Sequence, residues 1–460
     1  MEGEAMTSKT CGLRGFVWGL VSLAVILGGC AALGLAPPEV AGPRLFTFPG
    51  DWTKVPAKTV TLFYPGQASW EFLVGSGHPG AEPVKAGTPC AACHAGQQEK
   101  LGASLAKHAT LEPDPIPGKR ATVPLTVRAA FDSQYIYLRL QWDAPDPSVT
   151  HTLWRYDGKK WVRAGGPKPD VLKKGIAPSY EDRVAVLIGD RDSIPAYDGA
   201  KVTFSQAGCF ITCHNSMRAM PKEPKQAEIK AHPYWGNAGK KRDDIRKYLL
   251  ITRAGQDEAG AWDKVKSPAE LERLRQAGRF LDLWQWRAAR SNPLGHAGDD
   301  WVFDYRWFDK GKNLFTSPGE PKWMYDRGKM GFVAIPEAKL KEMLDKFPLV
   351  IGRNAVPFDP TAPFKEGDLL PHPVLQEPTE SVSDVMASGT WAAGRWTVDF
   401  RRKLNTGKPD DKMLAPGKVY DIGFSVFEDR VSNRRHHVTL PPLTLGLGVD
   451  ADVKAVKVGP

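Results

Sequence analysis

Four of the six cysteines in this 460-residue chain lie in two close pairs, Cys90 with Cys93 and Cys209 with Cys213. Each pair is followed at once by a histidine, His94 or His214. No other feature constrains the fold as strongly, because the chain around each run must leave room for whatever two thiols and an imidazole hold between them. Disulfides closed within CAACH or CFITCH leave both adjacent histidines unexplained. The other two cysteines, Cys11 and Cys30, sit in the N-terminal segment.

A CxxCH run is the attachment signal for c-type haem: two thiols form thioethers with the haem vinyl groups, and the adjacent histidine reaches the iron. Zinc or an iron–sulfur cluster is the competing reading of CAACH, but ligands at tetrahedral-site spacing are missing nearby. CFITCH places three residues between its cysteines and so departs from the standard run. In an exported chain that already needs haem attachment, two covalently attached c-type haems are the simplest account of both runs.

Export is read from the N-terminus. Lys9 and Arg14 precede an apolar stretch from Phe16 to Ala36, long enough to cross a bilayer as a helix, and Pro37-Pro38 then ends any helix. Cleavage as a secretory signal, lipid attachment at Cys30 and retention as a single span compete. The apolar run continues past Cys30, and Pro37 sits badly just after a cleavage site, which favours retention. The expectation is an N-terminally anchored chain whose remainder lies on the periplasmic side of the cytoplasmic membrane.

The chain divides on composition into a signal or anchor segment (1–40), an N-terminal c-type haem segment (41–120) carrying CAACH, and a body (121–460) with CFITCH in an insertion. The 41–120 segment is rich in Gly, Pro and Ala and reads as loops and short turns. From Ala121 the pattern changes. Ile136, Leu138, Leu140 and Trp142 alternate with Tyr135, Tyr137, Arg139 and Gln141, the period of a half-buried strand, and Asp132-Ser133 marks a hairpin turn from the strand through Leu125 and Val127. Further strands are expected at Arg183 to Ile188, Phe280 to Arg287, Arg395 to Phe400, Val419 to Phe427 and His436 to Leu440. Helices are few: one from Ser267 to about Gly278, with Pro268 at its first position and Glu270 closing a capping box, and one from about Pro336 to Lys346. The expected fold is mainly β, an antiparallel β-sandwich with helical and loop insertions.

Lysine plus arginine total 62 against 52 acidic residues, a formal charge of +10. The charge is spread through the chain and not gathered in one arm, so nucleic acid is not the expected partner. Lys222, Lys225, Lys230, Lys240, Lys241, Arg242, Arg246 and Lys247 make a basic neighbourhood after CFITCH. It suits an acidic redox partner, although a solvated face is the commoner origin of such a run.

Six-coordinate iron needs a second axial ligand, usually His or Met in electron carriers. His78 and His108 flank CAACH. For the second motif Met217 and Met220 are near in sequence, and His232, His436 and His437 are remote.

Several stretches together resemble one family. They are PGQASWEFLVGSGHPGA before CAACH, YIYLRLQWD, GCFITCHNSM, DLWQWRAARSNPLGHAGDD, and the closing GFSVFEDRVSNRRHHVTLPPLTLGLG. The chain resembles the periplasmic haem-binding domain of the gamma subunit of ethylbenzene dehydrogenase and its relatives, which include multihaem c-type forms. The resemblance implies a β-sandwich holding a haem at its end and passing electrons between a molybdenum oxidoreductase and a respiratory chain. In the ethylbenzene enzyme that haem is b-type, held by methionine and lysine. Here a Cys–His pair stands in the same region, so His214 is expected to replace one ligand, and the His436–His437 pair matches the lysine of the closing segment. His436 shares strand parity with Val438 and Leu440 and is preferred. By the same resemblance the HPGA run makes His78 the partner of His94, ahead of His108.

Trp284 and Trp286 fall on one face of a strand, with Arg287 and Arg290 at its end. Tryptophan can wall a haem and arginine can hold its propionates; ordinary core aromatics with solvated arginines are the alternative. The expected function is electron transfer by a membrane-tethered dihaem cytochrome c, with molybdenum oxidoreductase subunits or another cytochrome as partner. A dihaem peroxidase or nitrite reductase, which needs an open iron position, and a haem-based sensor are the other classes.

Overall fold

The computed structural model describes residues 40–214, 224–237, 239, 245, 248–255, 262–304, 316–317, 321–340, 348–432 and 435–459. The N-terminal apolar segment, Met217, Met220 and most of the basic run after CFITCH lie outside them. Pro38–Pro460 form one compact unit. Among the described residues no helix is long and apolar enough to cross a membrane.

Strands dominate this unit. They are β1 (Val40–Ala41), β2 (Lys58–Phe63), β3 (Thr122–Phe131), β4 (Tyr135–Asp143), β5 (Leu153–Tyr156), β6 (Trp161–Ala164), β7 (Arg183–Asp190), β8 (Leu281–Arg287), β9 (Gly298–Val302) and β10 (Thr316–Ser317). There follow β11 (Trp323–Tyr325), β12 (Ala355–Pro357), β13 (Leu369–Pro371), β14 (Val374–Leu375), β15 (Met386–Ala392), β16 (Arg395–Lys403), β17 (Val419–Phe427), β18 (His437–Val438), β19 (Leu443–Leu447) and β20 (Val453–Lys457). The short helices that matter below are α1 (Trp70–Val74), α2 (Ala81–Lys85), α3 (Cys90–His94), α4 (Gln98–Leu105) and α5 (Phe204–Ala207).

Thirteen of the strands form one hydrogen-bonded sheet. One arm runs β1-β15-β16-β4-β3 and the other β17-β7-β8-β9. Between β3 and β17 the sheet forks. The first half of β3 pairs with β2, which leads through β18 to β17, and its second half pairs with β20, which leads through β19 to the start of β17. The β19–β20 and β20–β3 pairings are parallel, so the sheet is mixed and not wholly antiparallel as the sequence pattern suggests. A parallel return needs a crossover that alternation within single strands does not reveal.

The expected β3–β4 hairpin forms, with the Asp132 carboxylate accepting from the backbone of Gln134 and Tyr135 at 2.7 Å each. The alternation in β4 sends Ile136, Leu138, Leu140 and Trp142 into a core between the two arms. Trp142 of β4, Trp396 of β16 and Trp286 of β8 meet there, with ring centres 6.2 Å (Trp142–Trp286) and 4.9 Å (Trp286–Trp396) apart. Aromatic contacts of this kind are worth about 0.5–1.5 kcal/mol each beyond the area they bury. The other face of β4 is also covered: Phe46, Phe48 and Trp52 pack on Tyr137.

The 41–120 segment contributes β2 near the centre of the sheet, and β1, at its boundary with the preceding segment, lies at the sheet's edge, so the segment is woven into the body it precedes. The Pro268–Gln276 helix has the expected N-terminus, with Ser267 as cap and a capping box to Glu270. The helix expected from Pro336 begins with a short 3₁₀ turn, Glu337–Lys339, and residues 341–347 lie outside those described. A second core lies on the outer faces of β7, β8 and β17. Leu187, Leu283 and Phe427 meet Trp70, Phe204, Phe210 and Ile211 there. The CFITCH run borders it, with Cys209 packed against the cluster.

Candidate cofactor sites

The first run forms the helix α3, entered through Pro89 in an extended conformation. Cys90, Cys93 and His94 stand three and four residues apart, so a single helical turn presents all three on one face. Cys90 is half-buried and Cys93 exposed. Burial first, then the neighbouring Cys93, pushes the Cys90 thiol up to about 11. The His94 Nδ1 is buried with no hydrogen-bond partner among the described residues, and burial, with His78 nearby and against a hydrogen bond with Gln97, lowers the proton affinity of the ring.

His78 arrives from the turn between α1 and α2. Its Nδ1 lies 3.0 Å from the Leu73 carbonyl, which orients the ring. The His78 and His94 rings stand with centres 6.2 Å apart and planes at 41°. His108 is exposed, and its Nδ1 accepts from the backbone N–H of Thr110 and Leu111 at 3.3 and 3.1 Å. It caps a turn and is not brought against His94.

The second run is built differently. Thr203 and Gln206 make a capping box that starts α5, and the chain leaves the helix through Gly208 at φ 52. A side chain there is strained by that φ and meets the Pro442 ring at 3.0 Å. Cys209 sits in the 3₁₀ turn Gly208–Ile211, and the backbone N–H of His214 donates to the Cys209 carbonyl, five residues back, at 2.8 Å. This wider turn absorbs the extra residue of CFITCH. Phe210 and Ile211 enter the second core, Cys209 and Cys213 are half-buried, and His214 is fully buried.

His214 is fixed to the segment that begins α1. Its Nδ1 is 2.9 Å from the Ala68 carbonyl, and its own carbonyl accepts from Trp70 N–H at 2.8 Å. The ring faces His436, with centres 5.3 Å apart and an interplanar angle of 62°. Phe210 and Phe427 flank the pair, 5.5 Å from His214 and 4.4 Å from His436.

His437 turns the other way. Its Nε2 meets the Arg120 carbonyl at 2.9 Å, and burial, followed by the charge of Lys119, keeps it neutral. His232 is also engaged elsewhere, its Nε2 at 2.7 Å from the Asp263 carbonyl.

The Trp–Arg run is built into the body of the sheet. Trp284 and Trp286 are fully buried between the two arms, on the face of β8 opposite Leu281 and Leu283, which belong to the second core. Trp286 Nε1 donates to Asn292 at 3.0 Å. Arg287 donates to the Gln285 carbonyl at 3.1 Å, and Arg290 pairs with buried Glu181. Neither arginine is a solvated one. The two tryptophans belong to the core between the arms, and both arginines are engaged within the body.

Two features were missed from the sequence. α3 packs on α5, so runs more than a hundred residues apart are neighbours. Beside His437, Tyr64 donates to Glu112, which pairs with Arg435 at 3.1 Å, all three buried. Glu112 lies in a proline-rich loop with no periodic signal, so only the fold reveals this network.

Residues 50–439 match the family described as ethylbenzene dehydrogenase, and the chain belongs to that family. Cytochrome c-552 of Stutzerimonas stutzeri is 25% identical over 414 residues, covering 89% of this chain and 91% of that protein. Cytochrome c-551 of Rhodocyclus tenuis is 33% identical over 173 residues, 37% of this chain and 58% of that protein.

Proposed function

We propose that the chain is a dihaem c-type cytochrome that transfers electrons between a respiratory chain and a molybdenum oxidoreductase, without substrate chemistry of its own. The observation that carries the reading is the pairing of rings: each Cys–His run presents an imidazole to a second imidazole from elsewhere in the chain. Two imidazoles bonded to one metal at about 2 Å each hold their ring centres about 6 Å apart. The 6.2 Å of His78–His94 suits that spacing, and the 5.3 Å of His214–His436 requires a small outward movement of one ring.

Cys90 and Cys93 would attach the first haem and Cys209 and Cys213 the second, and His94 with His78 and His214 with His436 would hold the two irons. Haem, once attached, supplies a one-electron iron couple. The chain sets the rest. Leu73 and Ala68 carbonyls hold the His78 and His214 rings through Nδ1, leaving Nε2 of each directed away from the backbone. The second core excludes water around His214, and the α3–α5 contact keeps the two sites close enough for exchange between them.

The family and the names of both relatives support an electron-transfer role. We further read the facing arms as the two layers of the sandwich that the resemblance implies. The apolar N-terminal segment is read as the export signal and anchor, placing the body on the periplasmic side. Spectra of the matured protein test the function. Two low-spin irons per chain that ignore carbon monoxide and peroxide are expected; a high-spin iron that turns over peroxide or nitrite favours a dihaem enzyme and overturns the carrier.

A further inference from the structure

A second group of chemistry-bearing side chains lies apart from both Cys–His sites. Asp282 is in β8, Asp299 in the neighbouring β9, and Asp411 in the loop that follows β16. All three are buried, and one carboxylate oxygen of each lies within 4.8 Å of the others. Arg402 of β16, itself fully buried, comes 2.9 Å from Asp282 Oδ2 and 3.3 Å from Asp411 Oδ1. Lys412 gives only its backbone N–H to Asp282, at 3.0 Å, because its ammonium turns to Asp190 and the Gly278 carbonyl. One guanidinium therefore faces three carboxylates.

Asp299 supplies the independent sign of a ligand. It has no exposure, and neither of its oxygens has a hydrogen-bond partner among the described residues, yet it points at two further carboxylates. Burying such a group is strongly unfavourable unless a proton or a cation accompanies it. Burial and then the charge of Asp411 hold Asp299 well above the usual carboxylate range, and burial, opposed by Arg402, raises Asp282 to about 7.

We propose that Asp282, Asp299 and Asp411 bind one hard divalent cation, calcium by preference, which pins the β8–β9 end of one arm to the β16 end of the other. Three carboxylates and one guanidinium leave two negative charges before the neighbouring Asp410 is counted, which favours a dication over a monovalent ion. Donors that are all carboxylate oxygen select hard ions over zinc or copper. Calcium accepts bidentate carboxylates in a flexible shell, whereas magnesium keeps several waters and suits a buried cluster less well. The site is independent of the haem reading.

The test uses the full chain with its cofactors, purified in chelator-treated buffer and assayed for calcium, magnesium, manganese and zinc by plasma mass spectrometry. We expect about one calcium per chain. Dialysis against EDTA should remove it and lower Tm by about 3 °C or more, with recovery on adding calcium. Asp299→Asn preserves the shape and should lose both the calcium and the EDTA response while keeping its haem-to-protein ratio. Magnesium or manganese in place of calcium supports the site and overturns the preference. A protein that carries no divalent cation and whose Tm ignores both EDTA and millimolar calcium overturns the proposal, because protons then balance the cluster. If Asp299→Asn does not fold, the metal content and EDTA response of the unaltered chain decide.

Discussion

The two Cys–His regions solve the same problem in opposite ways. Around Cys90 the histidine pair is local: His78 and His94 are sixteen residues apart, on short helices and turns, with Cys93 in solvent. Around Cys209 the pair spans the chain. His214 and His436 meet because β17, β18 and the start of α1 converge on the second core, and both imidazoles are buried. The first pair comes from one short stretch of chain, and the second joins residues more than two hundred positions apart. Its neighbours are therefore also the residues that stabilise the fold.

Removing thiols probes this difference most strongly. Cys90→Ser with Cys93→Ser, and separately Cys209→Ser with Cys213→Ser, should each halve the haem content measured as the pyridine haemochrome. Tm should fall further for the second pair, which borders the buried core; equal losses would remove the distinction between a local and an assembled site.

The next effect is on ligation. His436→Ala should turn one iron high-spin in electron paramagnetic resonance, and His78→Ala the other, while His437→Ala and His108→Ala leave both low-spin. A low-spin spectrum in His436→Ala would detach the closing segment from the second site.

A packing change isolates the body from either site. A Cβ on Gly389 would stand 2.2 Å from Trp286 Cζ2, deep between the arms. Gly389→Ala should cost about 1–3 kcal/mol in urea unfolding, with haem spectra unaltered, since Trp286 belongs to the core between the arms.

The smallest effect is a pH slope. Burial raises Asp182 from 3.8 to about 8, against the hydrogen bonds it accepts from Ser148 N–H and Trp396 Nε1. The folded chain thus keeps a proton that the unfolded chain releases, and the stability this group contributes falls as pH rises between those values. Asp182→Asn should flatten that part of the profile and unfold at higher urea than the parent above pH about 8. An unchanged slope would show that the carboxylate is ionised in the fold.

Local signals were legible where the chemistry is local. The Asp132 turn, the Ser267 capping box and the alternation in β4 all appear as expected because each depends on a few adjacent residues. Tyr137 shows where that reasoning stops: its strand parity points it outward, but Phe46, Phe48 and Trp52 cover it. Trp284 and Trp286 suit a haem wall by residue type, and the fold places them in the core between the arms.

The sequence by itself determined that two thiol–imidazole groups exist and that strands carry the body, because residue type, spacing and period are properties of a short stretch of chain. Which imidazoles meet, that α3 touches α5, that the sheet forks with parallel returns, and that Asp282, Asp299 and Asp411 converge were decided by tertiary structure. Those contacts join residues far apart in the chain, and no local pattern encodes which distant partner a buried side chain will find.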